Sequence, residues 1–164
     1  MQQPSLSKRG LIGLVVCMTV GDLRIPQSLV SLIESGRWPR NSEEGLRQNR
    51  ELRVPIKRVH RFAPEENWLF LCPPPFGKPA DMFSKVVDFH GEADAISPPG
   101  DIDYERAVVI ADFGLGSDAP IALDYRQSLE APSVIRYRWS ERGERNRWIY
   151  VAPSFSQFAE LLEL

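Results

Sequence analysis

The chain has 164 residues, of which 43% are hydrophobic and 26% are charged, and its formal net charge is −2. This length and composition suit a single globular domain with a buried core. A net charge this small gives no general electrostatic reason to expect binding to nucleic acid or to a membrane. The two cysteines, Cys17 and Cys72, lie far apart in the sequence, so we expect two free buried thiols rather than a disulfide framework.

The N-terminal segment contains an apolar run, Leu11–Val20, preceded by Lys8 and Arg9. This arrangement resembles the charged and apolar regions of a signal peptide, but the run is too short to cross a bilayer. The residues that follow make a poor cleavage site, which favours a β-strand and a cytoplasmic location, while a weak signal stays open as the alternative. We therefore divide the chain into an N-terminal segment, residues 1–21, and a single domain, residues 22–164.

The first predicted helix is Ile25–Ser35. Pro26 suits the first helical turn, and Gly36 suits the position just after the helix end. Trp38 follows as an aromatic anchor in a turn. The apolar residues at helical spacing, which predict the buried stripe, are Leu29, Leu32 and Ile33.

The middle of the chain is less regular. Ser42–Asn49 predicts a short helix capped by Ser42, or a loop, because it contains a glycine. Val54–Phe62 is basic and alternates weakly in hydrophobicity. Trp68–Leu71 and Phe83–His90 are strand candidates.

The C-terminal part predicts two strand pairs. The first pair is Ala107–Ala111 with Ile121–Tyr125, and the second is Val134–Trp139 with Trp148–Val151. Alternation within Val134–Trp139 places its aromatic residues on one face and its arginines on the other. We expect the aromatic face to pack against the closing helix. Arginine beside aromatic residues is also typical of protein interfaces and of surfaces that stack on nucleic-acid bases, although the negative net charge disfavours nucleic acid.

A closing helix follows the last predicted strand. Ser154 is a favourable N-cap residue, and Gln157 three positions later completes a capping box. The apolar residues at helical spacing, which should face the sheet, are Phe155, Phe158, Ala159 and Leu162.

In their order and spacing, these elements resemble the SUKH superfamily, the SMI/KNR family. The resemblance covers residues 104–164 well and residues 25–38 loosely. It implies that bacterial relatives act as immunity proteins, which neutralise toxin domains such as nucleases or deaminases, and that fungal relatives act as scaffolding regulators of cell-wall synthesis. The residues that carry it, in a glycine-rich turn, a strand end and the closing helix, are Gly114, Gly116, Leu123, Asp124, Ser154, Phe155 and Phe158.

Charge is unevenly distributed along the chain. Arg37–Arg61 has eight Arg or Lys against three Glu, whereas Asp81–Glu130 has eleven Asp or Glu against three Lys or Arg. Such blocks usually form solvated faces, but they can also steer a partner. We expect an acidic surface that suits a basic toxin. The candidate partner-binding residues, chosen for their exposure on loops and turns, are Asp101, Asp103, Asp118, Arg142 and Arg145.

Two groups of carboxylates leave an enzyme or a metal-binding protein open as less favoured alternatives. One imidazole with carboxylates on a single extended face can hold a divalent metal, and paired carboxylates can perform acid–base chemistry when one is desolvated. An exposed strand face and turn chemistry explain the same residues without either function. The first group is Asp88, His90, Glu92 and Asp94, and the second is Asp112, Asp118 and Asp124.

The sequence therefore predicts an α+β fold: a single domain with a mostly antiparallel β-sheet, an N-terminal helix and a closing C-terminal helix. We expect no catalytic residues, metal or cofactor. The expected function is binding to a protein partner, as an immunity protein that neutralises a cognate toxin. A general regulatory scaffold of the SMI/KNR type is the main alternative.

Overall fold

A five-stranded antiparallel sheet organises the structure, a computed structural model that describes residues 17–81, 102–114, 119–139 and 147–164. Its strands follow one another in space in the order β3-β4-β5-β6-β7. A two-stranded hairpin, β1-β2, lies outside it. The strands are β1 (Thr19–Val20), β2 (Leu23–Arg24), β3 (Phe70–Leu71), β4 (Ala107–Asp112), β5 (Pro120–Asp124), β6 (Ser133–Arg138) and β7 (Arg147–Ala152). The helices with described bounds are α1 (Gln27–Glu34), α2 (Ser42–Arg47), α3 (Ile56–Val59) and α4 (Phe155–Leu162).

This architecture confirms the predicted α+β class with an antiparallel sheet, an N-terminal helix and a closing helix. Both predicted strand pairs form, because β4 pairs with β5 and β6 pairs with β7. The register places Val108 opposite Leu123, and Tyr137 opposite Trp148. Every residue of β4 and β5 is buried, so these central strands are covered on both faces.

The main core lies between the helices and one face of the sheet, which we call the helix face. The strand residues on this side are Val108, Ile110, Ile121, Leu123 and Val134. Helix α4 packs here as predicted: the Ser154 side chain accepts a hydrogen bond from the Gln157 amide at 3.3 Å, and the four predicted residues are buried. Trp38 is fully buried, donates a 2.7 Å hydrogen bond from Nε1 to the Cys72 carbonyl, and meets Phe155 edge-to-face at 5.6 Å.

A second, smaller cluster covers the opposite face of the sheet. The expectation that the aromatic residues of β6 would face the closing helix is wrong, because they lie in this second cluster. The alanines of β4 and β5 on this side leave room for aromatic rings, whereas the helix face is filled by larger aliphatic side chains. The buried residues of the cluster are Ile102, Ala107, Ala122, Ile135, Tyr137 and Trp148.

Several local expectations also change. The cap of α2 is Asn41, whose side chain accepts a hydrogen bond from the Glu44 amide at 3.0 Å, rather than Ser42. The basic stretch Val54–Phe62, for which the sequence indicated only weak alternation, contains helix α3, whose N-cap residue is Pro55. Cys17 is exposed rather than buried, although neither cysteine forms a disulfide.

The N-terminal apolar run is described only from Cys17 onward, and there Thr19–Val20 forms β1. Gly21 adopts a φ of +59° in the turn to β2, a conformation that glycine favours. The predicted strand Phe83–His90 lies outside the described residues. Within the described ranges, no helix has the length and apolar character needed to span a membrane.

Candidate functional site

Of the five candidate contact residues, the structure describes Asp103. Its Oδ1 accepts hydrogen bonds from the backbone N–H groups of Glu105 at 3.0 Å and Arg106 at 3.3 Å. This carboxylate therefore stabilises the turn that leads into β4, as aspartate commonly does in turns. The other four candidates, Asp101, Asp118, Arg142 and Arg145, lie outside the described residues.

Of the three carboxylates proposed for acid–base chemistry, the structure describes Asp112 and Asp124, and these two lie apart. Asp112 accepts hydrogen bonds from the Gly114 and Ala119 amides at 2.9 and 3.2 Å, and Asp124 forms a 2.9 Å ion pair with Arg126. Asp112 lies opposite Pro120, four residues before Asp124 along β5, so the two carboxylates are about 13 Å apart along the strand. Asp124 therefore lies at the far end of the strand pair rather than beside the glycine turn.

The described residues also contain no group of three or more potential metal ligands. The metal-binding alternative built on Asp88, His90, Glu92 and Asp94 lies outside them. Cys72 is partly buried, and burial, with a further contribution from Asp112, raises the pKa of its thiol to about 12. At neutral pH this thiol is protonated and is a weak nucleophile.

Five of the eight basic residues in the basic block, Arg37–Arg61, form ion pairs with glutamates in the described chain. In α2, Glu44 pairs with Arg40 at 2.5 Å and with Arg53 at 3.4 Å. Hydrogen bonds from the Arg40 side chain and backbone lower the pKa of Glu44 to about 2. These two arginines therefore hold the segment around α2 together through a shared glutamate.

Two further arginines of the basic block hold the C-terminus of α4. Arg58 donates to the Leu162 carbonyl at 3.0 Å, and Arg61 donates to the Leu161 carbonyl at 3.1 Å. Both also pair with Glu163, at 2.7 and 2.5 Å. The last carbonyls of a helix lack partners within the helix, so these contacts satisfy them and complement the helix dipole.

A buried arginine, Arg136, is a feature that the sequence reasoning missed. It lies on the helix face of β6 with only 3% of its surface exposed, pairs with Glu65 at 2.6 Å and lies over the Phe113 ring at 5.6 Å. Burial raises the pKa of the Glu65 carboxyl, but the Arg136 hydrogen bond and nearby charges hold it below its usual value overall. The alternation in β6 places this arginine on the face opposite the aromatic residues. It does not indicate which of the two faces the helices cover.

The outer side of β7 is an open strand edge. Strand β7 has six residues and pairs with β6 on one side. Across the described part of the chain, no backbone group hydrogen-bonds to its other side. We call β7 and the residues that flank it the open edge. An exposed edge of this kind can pair with a strand from another molecule.

Aromatic residues and arginines surround the open edge. Tyr150 is 62% exposed and Trp139 is 51% exposed, and both lie on the side of the sheet away from the helices. On the helix face, Arg138 lies directly opposite Arg147. The Nε of Arg138 is 3.6 Å from Glu65, whereas the exposed Arg147 has no ion pair in the ranges described.

A groove of about 370 Å³ runs beside the open edge, between β7 and α4. Both apolar and polar side chains line it. The register shift between β6 and β7 makes Val151 an extra residue, and its side chain packs against the main core beside this groove. The lining residues are Arg61, Val151, Ala152, Pro153, Gln157, Glu160 and Leu161.

The open edge therefore combines exposed aromatic rings and an adjoining groove with strand backbone and an arginine, Arg147, that have no partner among the described residues. Trp, Tyr and Arg are the residue types enriched in the energetic centres of protein interfaces. Comparison of the chain with protein-family models, with curated proteins and with solved structures gave no match.

Proposed function

We propose that this chain is a non-enzymatic protein-binding domain that acts as an immunity protein and neutralises a cognate toxin by direct binding. The observation that carries the proposal is the open edge, where Trp139, Tyr150 and Arg147 are exposed beside the side of β7 that no described segment pairs with. The resemblance to the SUKH superfamily supports the choice of a toxin, of nuclease or deaminase type, as the partner. Direct occlusion of that toxin is the mechanism this surface favours.

The state of the described charged residues supports binding rather than catalysis. Asp103, Asp112 and Asp124 hold turns and a neighbouring arginine of their own chain. Because these carboxylates already bind groups of their own chain, we favour a contact surface outside the acidic segment Asp81–Glu130. Asp101, Asp103, Asp118, Arg142 and Arg145 stay predicted contacts, and the open edge becomes the main one.

The proposal is tested by co-expression with toxin domains encoded beside the gene in its native host. We expect one of them to stop cell growth alone, to be harmless when this chain is present, and to co-elute with it in a one-to-one complex. Survival without complex formation, or no protection by any neighbouring gene, would contradict the proposal. Stable binding to a host protein without protection would instead favour the regulatory scaffold.

Paired variants locate the surface. Tyr150→Ala with Trp139→Ala should abolish protection, because interface aromatics contribute about 2 kcal/mol or more each. Leu46→Ala is the matched control, because Leu46 is also exposed, at 67%, but lies in α2. Protection that survives the aromatic variant would place the contact surface elsewhere.

A further inference from the structure

The two faces of β7 present different side chains to a strand that would pair with the open edge. Residues 147, 149 and 151 alternate onto the helix face, where the groove lies, and residues 148 and 150 alternate onto the opposite face. On the helix face, Arg147 marks one end of the strand and Val151 marks the other, beside the groove. On the opposite face, the ring of Tyr150 extends into solvent.

The positive charge at one end of the open edge lacks a counterion within the described chain. Arg138 and Arg147 are cross-strand neighbours, and like charges directly opposite each other destabilise a strand pair. Glu65 contacts Arg138 and the buried Arg136, but not Arg147. A carboxylate from an added strand beside Arg147 would relieve this repulsion.

A second copy of the chain does not meet this requirement. Strand β7 has the sequence RWIYVA, which contains no acidic residue. Pairing of two β7 strands about a two-fold axis would therefore leave both Arg147 side chains without a carboxylate from the partner's β7. A strand from a different protein can supply one.

We infer that the open edge binds an extended segment of a partner protein by strand addition, with an acidic residue of that segment beside Arg147 and an apolar residue in the groove beside Val151. Residues 147 and 151 are four positions apart, so the two partner side chains also lie about four positions apart, on one face of the added strand. The main-chain hydrogen bonds would supply affinity, and the two side chains would supply specificity. This inference rests on the proposed function, because it names the part of the partner that the binding domain recognises.

The test uses the full chain and a displayed library of random linear peptides about ten residues long, enough to cover a strand of this length. We expect selected peptides to carry an acidic and an apolar residue an even number of positions apart. A synthetic selected peptide should also slow amide hydrogen exchange in residues 147–152. No enrichment, or peptides that protect other residues, would overturn the inference.

Matched charge reversals sharpen the test. Arg147→Glu should weaken binding of the selected peptide at least about tenfold, because attraction becomes repulsion. Arg50→Glu makes the same change outside the sheet, at an exposed arginine whose side chain has no partner among the residues that the structure describes, and should leave the affinity unchanged. Leu161→Lys, at the rim of the groove, should reduce binding of peptides that carry the apolar residue. Equal affinity for the wild type and Arg147→Glu would overturn the inference.

The outcomes separate this inference from the function on which it rests. Peptide binding at β7 without protection from any toxin would remove the immunity function and leave the strand-addition site. Protection from a toxin without peptide binding at β7 would support the immunity function and would overturn the strand-addition site. Self-association of the free protein that protects residues 147–152 from exchange would show that a second copy occupies the edge, and would overturn the inference.

Discussion

The two edge strands of the five-stranded sheet, β3 and β7, differ in length and in what covers their outer backbone groups. At one edge, β3 is two residues long, and the buried side chain of Gln48 closes it. The Gln48 amide donates to the Leu71 carbonyl at 2.9 Å and accepts from the Leu71 N–H at 2.9 Å, as a neighbouring strand would. At the other edge, β7 is six residues long, and no comparable group in the described chain covers it.

This difference indicates which edge is available to a partner. Long exposed edges promote unwanted association, so proteins usually shorten, cover or charge them. Strand β3 is short, and its edge is covered. Gln48, which follows α2, occupies both the N–H and the C=O of Leu71. At β7, among the described residues, the charge of Arg147 is the feature that disfavours association, and a partner with a carboxylate would neutralise it.

The largest effect we expect comes from helix α4, which forms one wall of the groove beside the open edge. Phe158→Ala should lower the free energy of unfolding by about 3–5 kcal/mol, because a fully buried ring is replaced by a cavity. Denaturant unfolding monitored by circular dichroism measures this loss. Glu160→Ala, at an exposed position of the same helix, should change stability by less than about 0.5 kcal/mol. Similar losses for the two variants would mean that α4 is not docked as described.

The closed edge is tested by Gln48→Ala. Removal of the amide leaves the buried Leu71 N–H and C=O without their partner, so we expect a loss of about 2–4 kcal/mol in urea unfolding. Asn49→Ala, at the exposed neighbouring position, is the control and should be close to neutral. A near-neutral Gln48→Ala would show that the β3 edge is not closed by this side chain.

The α2 segment that carries Gln48 should weaken in acid. The folded-state pKa of Glu44 is held at about 2, against an ordinary value of 4.5, chiefly by hydrogen bonds from Arg40. Its contribution to stability is therefore fully present above about pH 4.5 and is lost as the pH falls toward 2. Unfolding free energies of the wild type and Glu44→Gln, measured across this range, should converge at low pH. A difference that stays constant with pH would exclude this ion pair as its source.

The smallest stability change is expected at the open edge itself. Tyr150→Ala removes a side chain that is 62% exposed, so the free energy of unfolding should change by about 0.5 kcal/mol or less. The same substitution should weaken partner binding about thirtyfold or more, which calorimetry with the selected peptide would measure. A large loss of stability with unchanged binding would reverse the roles assigned to the two edges.

The closing helix and the C-terminal strand pairs could be predicted because their signals are local. Ser154 and the spacing of Phe155, Phe158 and Leu162 define the start and buried face of α4 without reference to other elements. The candidate site was harder to predict. Asp103 stays a predicted contact, but its position and spacing did not indicate that its carboxylate accepts a hydrogen bond from the backbone of its own turn. Glu65 and Arg136, which form a close ion pair, are seventy-one residues apart in sequence.

The sequence by itself determined the α+β class, the two strand pairs, the buried stripes of α1 and α4, and the alternation of aromatic residues and arginines in β6. These features depend on periods of 3.6 and 2 residues and on capping residues, which act over a few positions. Only the tertiary structure decided that the aromatics of β6 face away from α4, that Arg136 is buried, and that Gln48 closes one sheet edge while β7 stays open. Each of these depends on which distant segment packs beside a strand, and a local pattern carries no information about that neighbour.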